Sequence, residues 1–557
     1  MEKRLMTLLM GLLLCIGGAL AQTKVNGTVV SQDDGEPVIG ASILVVGTNV
    51  GTVTNTDGQF SLTVPAGKKT LRVTYVGMLP QEVIARPSMR IALATDTKAL
   101  DEVIVVAYGT QKKSSFTGAA ATMKADKIQN QQVSNLSKAL EGQIAGVQIS
   151  SNSGQPGSAA NIIVRGIGSI SSSQSPLIIV DGVPYEGSLN SISPQDIESM
   201  TVLKDAAANS MYGARGANGV IMITTKGAKG GKAKVTLDAK WGFNARAVDN
   251  YDIITDPAEY YEMYYEAYRN SLVSTMGMAQ ASNYAAQHLI DGTQGLGYNV
   301  YKDVADDQLI DPLTGKINPN ATTRKWSDDW TKDPFKNGLR QEYNVNISGG
   351  NDNTKAYVSL GYLGDEGYIA GSDFDRYTGR VKVDQNIGQY IKVGGNIAYA
   401  RTDQHNFNSS VTSNYSNIFM FSQSIAPIYP LYSYDAQGNQ IYNEDGSVKY
   451  DFGTENNRPY ASEQNPLAVA KENYFQTLKD NVSSRGFFEA TFLKDFKFTA
   501  NIAYDVFNNN ETRFNTPIGG DAKTVGGRGY KYATRYGALN TNQILDWNHS
   551  SASTAYI

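Results

Sequence analysis

Three histidines, His288, His405 and His549, are the first residues to weigh as metal ligands or proton carriers. They lie far apart and lack the HxxxH-type spacing that places two imidazoles on one helix face, so no shared metal site is expected. The chain has no G-x-S-x-G turn to present a nucleophilic serine. Its single cysteine, Cys15, falls in an N-terminal leader. The carboxylate pairs Asp306-Asp307 and Asp328-Asp329 stand in polar stretches, with no setting that would make them an acid and a base for glycoside cleavage. Asp33, Asp34 and Asp57 carry oxygen donors that calcium would accept, but beside Gly35 and Gly58 they read as turn residues. "YDAQGNQIYNEDGSVKYD" (434–451) reads as a hairpin with polar turns. "GARGANG" (213–219) lacks the Gly-Lys-Ser/Thr of a phosphate loop. Its glycines suit a tight turn between helix and strand. The expectation is a protein that is not an enzyme and has no cofactor.

The chain opens with "MEKRLMTLLMGLLLCIGGALAQ". Lys3 and Arg4, an apolar run from Leu5 to Ile16 and Ala19-Leu20-Ala21 make a cleavable export signal over 1–21. The exported chain then holds no cysteine, so packing or a closed sheet must stabilise it. Across 557 residues the net charge is −4, which gives no reason to expect nucleic acid as a partner. Mean hydropathy is −0.32. That excludes a bundle of membrane helices but not a membrane β-barrel, whose alternating strands average out polar.

Residues 22–95 show about seven short β-branched runs broken at Asp34-Gly35, Asp57-Gly58 and Ala66-Gly67, the pattern of a small sandwich. Residues 96–115 read as a linker and 116–230 as a mixed α/β unit. In that unit a helix is expected around Leu136–Ile144, with Leu136, Leu140 and Ile144 on one face. Ser193-Pro194-Gln195-Asp196 reads as another helix start. Strands are expected at 162–164, 177–180, 201–203 and 220–224.

After Gly231 the pattern alternates. Val235, Leu237, Ala239, Trp241 and Phe243 share one face, and Thr236, Asp238 and Lys240 the other. Tyr343, Val345 and Ile347 alternate with polar residues in the same way, as do Ile391, Val393, Ile397 and Tyr399, and Phe498, Ala500, Ile502, Tyr504 and Val506. Tyr377, Val381 and Val383 alternate with Arg376, Arg380 and Lys382. Short turns (349–353, 387–390, 493–495) alternate with long segments (249–338, 403–476), the asymmetry of a membrane barrel. Asp256-Pro257-Ala258-Glu259 starts a helix in the first long segment, and the tyrosines of "YYEMYYEAYRN" offer faces to sugar rings but read first as packing against neighbouring loops.

The ordered set "IIVRGIGSI", "PLIIVDGVPYEG" and "MTVLKDAAANSMYGARGANGVIMITTKG" closely resembles the plug domain of TonB-dependent transporters of the SusC/RagA family. The matching residues are Arg165, Gly166, Asp181, Gly182, Lys204, Asp205, Tyr212, Gly213, Arg215, Gly216, Asn218 and Gly219. The leading region resembles a carboxypeptidase-regulatory-like domain. The resemblance implies an all-β-dominated protein: a small sandwich (22–95), a plug (116–230) and an antiparallel transmembrane barrel (231–557). It implies an outer-membrane importer that works with TonB and a SusD-like surface lipoprotein, with oligosaccharide or peptide as cargo. Siderophore or cobalamin import and cell-surface signalling are the competing readings.

Asp101, Glu102, Val103, Ile104, Val105, Val106 and Ala107 resemble the family's TonB box, a β-prone run in the linker that adds as a strand to a partner's sheet. About eight strands are countable after Gly231. Eight make a barrel filled by its own side chains, whereas a plugged transporter needs about 22. The chain is therefore expected to be the N-terminal portion of a longer transporter.

Overall fold

A computed structural model describes residues 23–32, 35–75, 78–94, 103–106, 109–112, 120–151, 153–204, 210–228, 230–248, 250–406 and 417–547. The leader, Asp33, Asp34, Asp101, Glu102, Ala107, Asp205 and His549 lie outside these residues. The chain divides between Thr117 and Gly118 into two units.

In the first unit seven strands form two sheets. One has the order β4-β1-β7 (Gln59–Val64, Thr23–Ser31, Ser88–Leu93), and the other β3-β2-β5-β6 (Gly51–Val53, Ser42–Val45, Thr70–Thr74, Gln81–Ile84). Alternation supplies the core between them: Phe60, Leu62 and Val64 from β4 meet Ile43, Val45, Leu71 and Val73 from the facing sheet. Each such side chain contributes roughly 1.5–3 kcal/mol by leaving water. Asp57 sits in the turn before β4, where the Asn55 side chain accepts from the Asp57 and Gln59 amides. β8 (Val103–Val106) pairs antiparallel with β9 (Gly109–Lys112), Val103 opposite Lys112, as a two-stranded sheet of its own.

The second unit begins with an α/β domain. Its five-stranded sheet has the order β10-β15-β16-β13-β14 (Ala120–Lys124, Ile197–Leu203, Val220–Thr225, Leu177–Val180, Val183–Pro184), with β13 and β16 parallel. β11 (Val147–Ser150) and β12 (Asn161–Val164) form a separate pair. The helix expected at 136–144 is instead a 3-10 turn over Leu136–Leu140. Glu141 is already extended and Gly142 has φ 68°, so the chain turns before an α-helix can propagate. Leu136, Leu140 and Ile144 still enter one core, with Met200, Val202, Ile221 and Ile223. The helix expected from Ser193 is also only a three-residue 3-10 turn, Pro194–Asp196. Ser193 does accept from the Gln195 amide, but Ile197, Met200 and Val202 are buried as strand residues and pull the chain into β15.

The rest of the unit is one eight-stranded antiparallel sheet in strict sequence order. Its strands are β17 (Gly231–Asn244), β18 (Gly338–Gly350), β19 (Thr354–Glu366), β20 (Asp373–Ile387), β21 (Ile391–His405), β22 (Tyr474–Phe492), β23 (Phe496–Asn515) and β24 (Arg528–Trp547). Its polarity is the reverse of a soluble sheet. On β17 Val235, Leu237, Trp241 and Phe243 are 64–72% exposed, while Arg340, Glu342 and Asn344 on β18 are buried. Strands with an apolar outward face and a polar inward face are those that meet hydrocarbon. Trp241, Tyr343, Tyr362 and Tyr377 run across four adjacent strands on the outward face, with ring centroids 5.5, 6.3 and 5.0 Å apart. Such an aromatic row marks a membrane interface. Among the described residues no helix is long and apolar enough to cross a membrane.

At one rim the strands join through short turns. At the other, the segments after β17 and β21 pack into a shared core. Asp256 caps the helix Pro257–Met276, whose Tyr261 and Tyr265 are buried. Tyr260, Tyr264 and Tyr268 pack partly buried against the same core, so this stripe packs against neighbouring loops as its sequence suggested. The Tyr261 hydroxyl donates to the Tyr298 carbonyl at 2.7 Å and accepts from the Val300 amide at 3.0 Å. Arg458 is wholly enclosed; it donates to the carbonyls of Tyr460, Ala461 and Gln464 and pairs with Asp451 at 3.5 Å.

Candidate functional site

The inward polar face of the sheet grips the α/β domain. The centre of the seat is Asp181, in the turn that follows β13. Asp181 and Gly182 have φ 48° and 83°, a left-handed pair that only a short polar residue followed by glycine adopts readily. This turn aims the Asp181 carboxylate back along β16. One oxygen accepts from the Thr225 amide at 2.9 Å, and the other from the Thr225 hydroxyl at 2.5 Å and from Asn396 Nδ2 on β21 at 2.9 Å. Arg380 on β20 stands 3.7 Å from the same carboxylate.

Arg380 is 4% exposed and spends its donors on both partners. Nε donates to Asn396 Oδ1 at 2.9 Å, Nη1 to the Asp196 carbonyl at 3.3 Å, and Nη2 to the Thr225 hydroxyl. The Tyr357 ring on β19 lies under the guanidinium, and its hydroxyl donates to Asp196 Oδ1 at 3.0 Å. Arg376, four residues earlier on the same face of β20, donates to the carbonyls of Ser134 and Asn190 at 2.9 and 3.1 Å. Arg485 on β22 donates to the Val180 carbonyl at 3.3 Å and pairs with Asp505 on β23 at 3.4 Å. Its guanidinium also faces the Tyr185 ring, whose edge meets Phe507. Burial pushes the Tyr185 hydroxyl up to about 12, which keeps it a neutral partner for Ser191.

Burial raises the Asp181 carboxyl, but the Lys382 and Arg380 charges and two Thr225 hydrogen bonds outweigh it and hold the group below the usual range. A carboxyl depressed on folding stabilises the seat above its unfolded value, about 3.9. That stabilisation is lost as pH falls through the lower folded value. Protection of the Thr225 amide from hydrogen exchange, corrected for intrinsic rate, is therefore expected to stay level between about pH 5 and 8 and to fall below about pH 4.

Of the motif residues read from the sequence, Asp181 with Gly182 reaches the wall. Others tie the α/β domain to itself. Lys204 Nζ donates to the Ala145 carbonyl at 2.8 Å, Arg215 pairs with Glu186, and Asn218 Nδ2 donates to the Ser173 carbonyl at 2.7 Å. Gly213 makes the kink in the 3-10 turn Ser210–Gly216, which also holds Tyr212 and Gly216. Gly219 has φ 91°, and a Cβ there would press on Val164. Arg165 and Gly166 form an exposed left-handed turn after β12. The sequence reading did not single out Arg376, Arg380, Arg485 or Tyr357 as gripping residues. The signal available was an arginine on the polar face in the middle of a long strand.

The other candidates are absorbed by structure. Asp306 accepts from Asn299, Asp328 from the Leu431 amide and the Tyr434 hydroxyl, and Asp329 from the Thr331 amide. Asp435 and Asp445 cap the two tight turns of the 434–451 stretch. His288 bonds to the Tyr284 carbonyl and stacks on that ring. Among the described residues no group of three or more His, Cys, Asp or Glu side chains is placed to hold a metal.

Known proteins share this arrangement. The family model for the TonB-dependent receptor plug domain matches residues 112–220, and that for the carboxypeptidase-regulatory-like domain matches 25–105. The chain is similar to the TonB-dependent receptor SusC of Bacteroides thetaiotaomicron, with 34% identity over 392 residues, covering 69% of this chain and 34% of the relative. It is similar to the TonB-dependent receptor P3 of Formosa agariphila, with 29% identity over 558 residues, covering 99% of this chain and 49% of the relative. Among solved structures, the RagAB peptide importer in its "closed-closed" state matches with a TM-score of 0.59 at 25% identity, covering 78% of this chain and 46% of that one. The chain spans about a third to a half of the length of the curated relatives it matches. A plug seated on the polar face of an antiparallel membrane-type sheet defines a TonB-dependent receptor. The chain belongs to the SusC/RagA family of these receptors.

Proposed function

We propose that this chain is part of a TonB-dependent importer that carries an oligosaccharide across the outer membrane, with a SusD-like lipoprotein as its surface partner. The observation that carries the reading is the seat itself. A charged, hydrogen-bonded plug held by Arg376, Arg380 and Arg485 closes the inward face of a sheet whose other face suits lipid. A buried pair such as Arg380–Asp181 is costly to break from one side, about 3–5 kcal/mol. Opening therefore calls for work from outside the chain, which a TonB pull on the region of Asp101–Ala107 supplies. β8 leaves one edge unpaired by β9, and a strand from TonB adds there through backbone hydrogen bonds. The role is transport rather than catalysis.

The resemblance of the plug motifs to the SusC/RagA family, which implies an oligosaccharide as the usual cargo, supports a glycan. A second reading, peptide import, draws on the likeness to the RagAB peptide importer. Deleting the gene in its source bacterium and growing the strain on single purified glycans, or on peptides as sole nitrogen source, separates the two. Loss of growth on one glycan class with normal peptide use is expected. Loss on peptides alone would replace the first reading with the second.

A further inference from the structure

The two long segments enclose a cavity of about 120 Å³ between residues 253–257, 324–331 and 422–427. Two of the chain's four tryptophans line it, Trp330 buried at 4% exposure and Trp326 half-buried, so Trp326 presents the larger indole surface. Both are locked from behind: Trp326 Nε1 donates to the Ile428 carbonyl at 3.2 Å and Trp330 Nε1 to the Tyr429 carbonyl at 3.0 Å. Tyr434 stacks on Trp326, and Phe421 packs on Trp330 at 4.8 Å. Asp328 fixes that backing by accepting from the Leu431 amide and the Tyr434 hydroxyl. Around the indoles stand Thr255, Arg324, Ser327 and Asp329. Rigid aromatic walls with a few fixed polar groups are the make-up of a small-molecule site, preorganised so that binding orders little.

The geometry points to a subsite for one ring of a neutral sugar at the end or branch of an oligosaccharide. This inference rests on the glycan reading above. A pyranose offers an apolar C–H face to an indole and hydroxyls to surrounding donors and acceptors. Arg324 donates, Asp329 accepts, and the hydroxyls of Thr255 and Ser327 do both. The arginine of the lining is already paired, Arg324 with Asp256 at 3.2 Å, as is Asp329 with Lys332 at 2.8 Å, which disfavours sulfated or uronic sugars. An extended peptide finds no row of backbone partners here, because the indoles occupy the carbonyls of Ile428 and Tyr429. The volume admits part of one ring, with the rest of the chain left in solvent.

The test uses chromosomal Thr255→Phe, Thr255→Ser and gene-deletion strains of the source bacterium. Uptake of labelled neutral fragments of α-glucan, β-glucan, xylan and mannan is measured against concentration, with the surface amount of protein checked in each strain. Thr255→Phe fills the mouth and is expected to raise the half-saturating concentration at least tenfold for one fragment, with the maximal rate little changed. Thr255→Ser keeps the hydroxyl without filling the space and is expected to raise it far less than Thr255→Phe does. An unchanged half-saturation in Thr255→Phe, alongside lost uptake in the deletion strain, overturns the subsite and leaves the transport reading standing. Normal uptake of every fragment by the deletion strain overturns both.

Discussion

Replacing Arg380 by alanine loosens the plug at its seat. The substitution removes the cation beside Asp181 together with donors to the Asp196 carbonyl, the Thr225 hydroxyl and Asn396. It leaves the carboxylate with the Thr225 and Asn396 dipoles and the Lys382 charge. Breaking a buried pair from one side costs about 3–5 kcal/mol. At 1.4 kcal/mol per decade this is about a hundred- to several-thousand-fold faster exchange at amides such as Thr225, which the Asp181 carboxylate protects. Arg380→Lys keeps the charge but not the planar fork, so an intermediate loss is expected. In Arg380→Met with Asp181→Asn no charge is stranded, and part of the protection returns. If the double variant exchanges faster than the sum of its single variants predicts, the coupling between these two residues is not the source of the seat's strength.

The second large effect falls in the linker. Val105→Pro removes a backbone donor from β8, where Val105 stands opposite Thr110. If uptake depends on adding this strand to a TonB sheet, the variant takes up no substrate while its surface binding stays at the parent level. Val105→Thr keeps both the donor and the β propensity and should import normally. Normal uptake by the proline variant would remove the TonB role from residues 101–107. The pairing with β9 adds a detail that the bare sequence did not show: the run already has one strand beside it, and a partner must take the other edge or displace β9.

The wall was legible because its strands are long and alternate with a period of two, which one face toward lipid enforces. β17, β18, β20, β21 and β23 follow the residues picked out by that alternation, and the turns at 350–354, 387–391 and 492–496 fall where short turns were expected. The sandwich was legible for the same reason, with Phe60, Leu62 and Val64 alternating inward. The two helices expected in the plug were misread, because local signals at Leu136 and Ser193 were overridden. Left-handed Gly142 ends one, and the sheet's demand for Ile197, Met200 and Val202 ends the other.

The seat was half legible. The Val-Asp-Gly motif marked Asp181, but its partner Arg380 lies 199 positions further along the chain, on a face where many polar residues look alike. Nothing local marks Arg380, or Lys382 two residues on, as a charge that acts on Asp181. The core of the long segments was hidden in the same way, since Arg458 and Asp451 pair inside what reads as a polar loop.

The most direct test of import is accumulation of a labelled neutral oligosaccharide by the parent and deletion strains, before and after a protonophore collapses the inner-membrane proton gradient. Accumulation is expected in the parent alone, and the protonophore is expected to abolish it while surface-bound label persists. Accumulation that survives the protonophore, or that is equal in the two strains, contradicts active import by this chain.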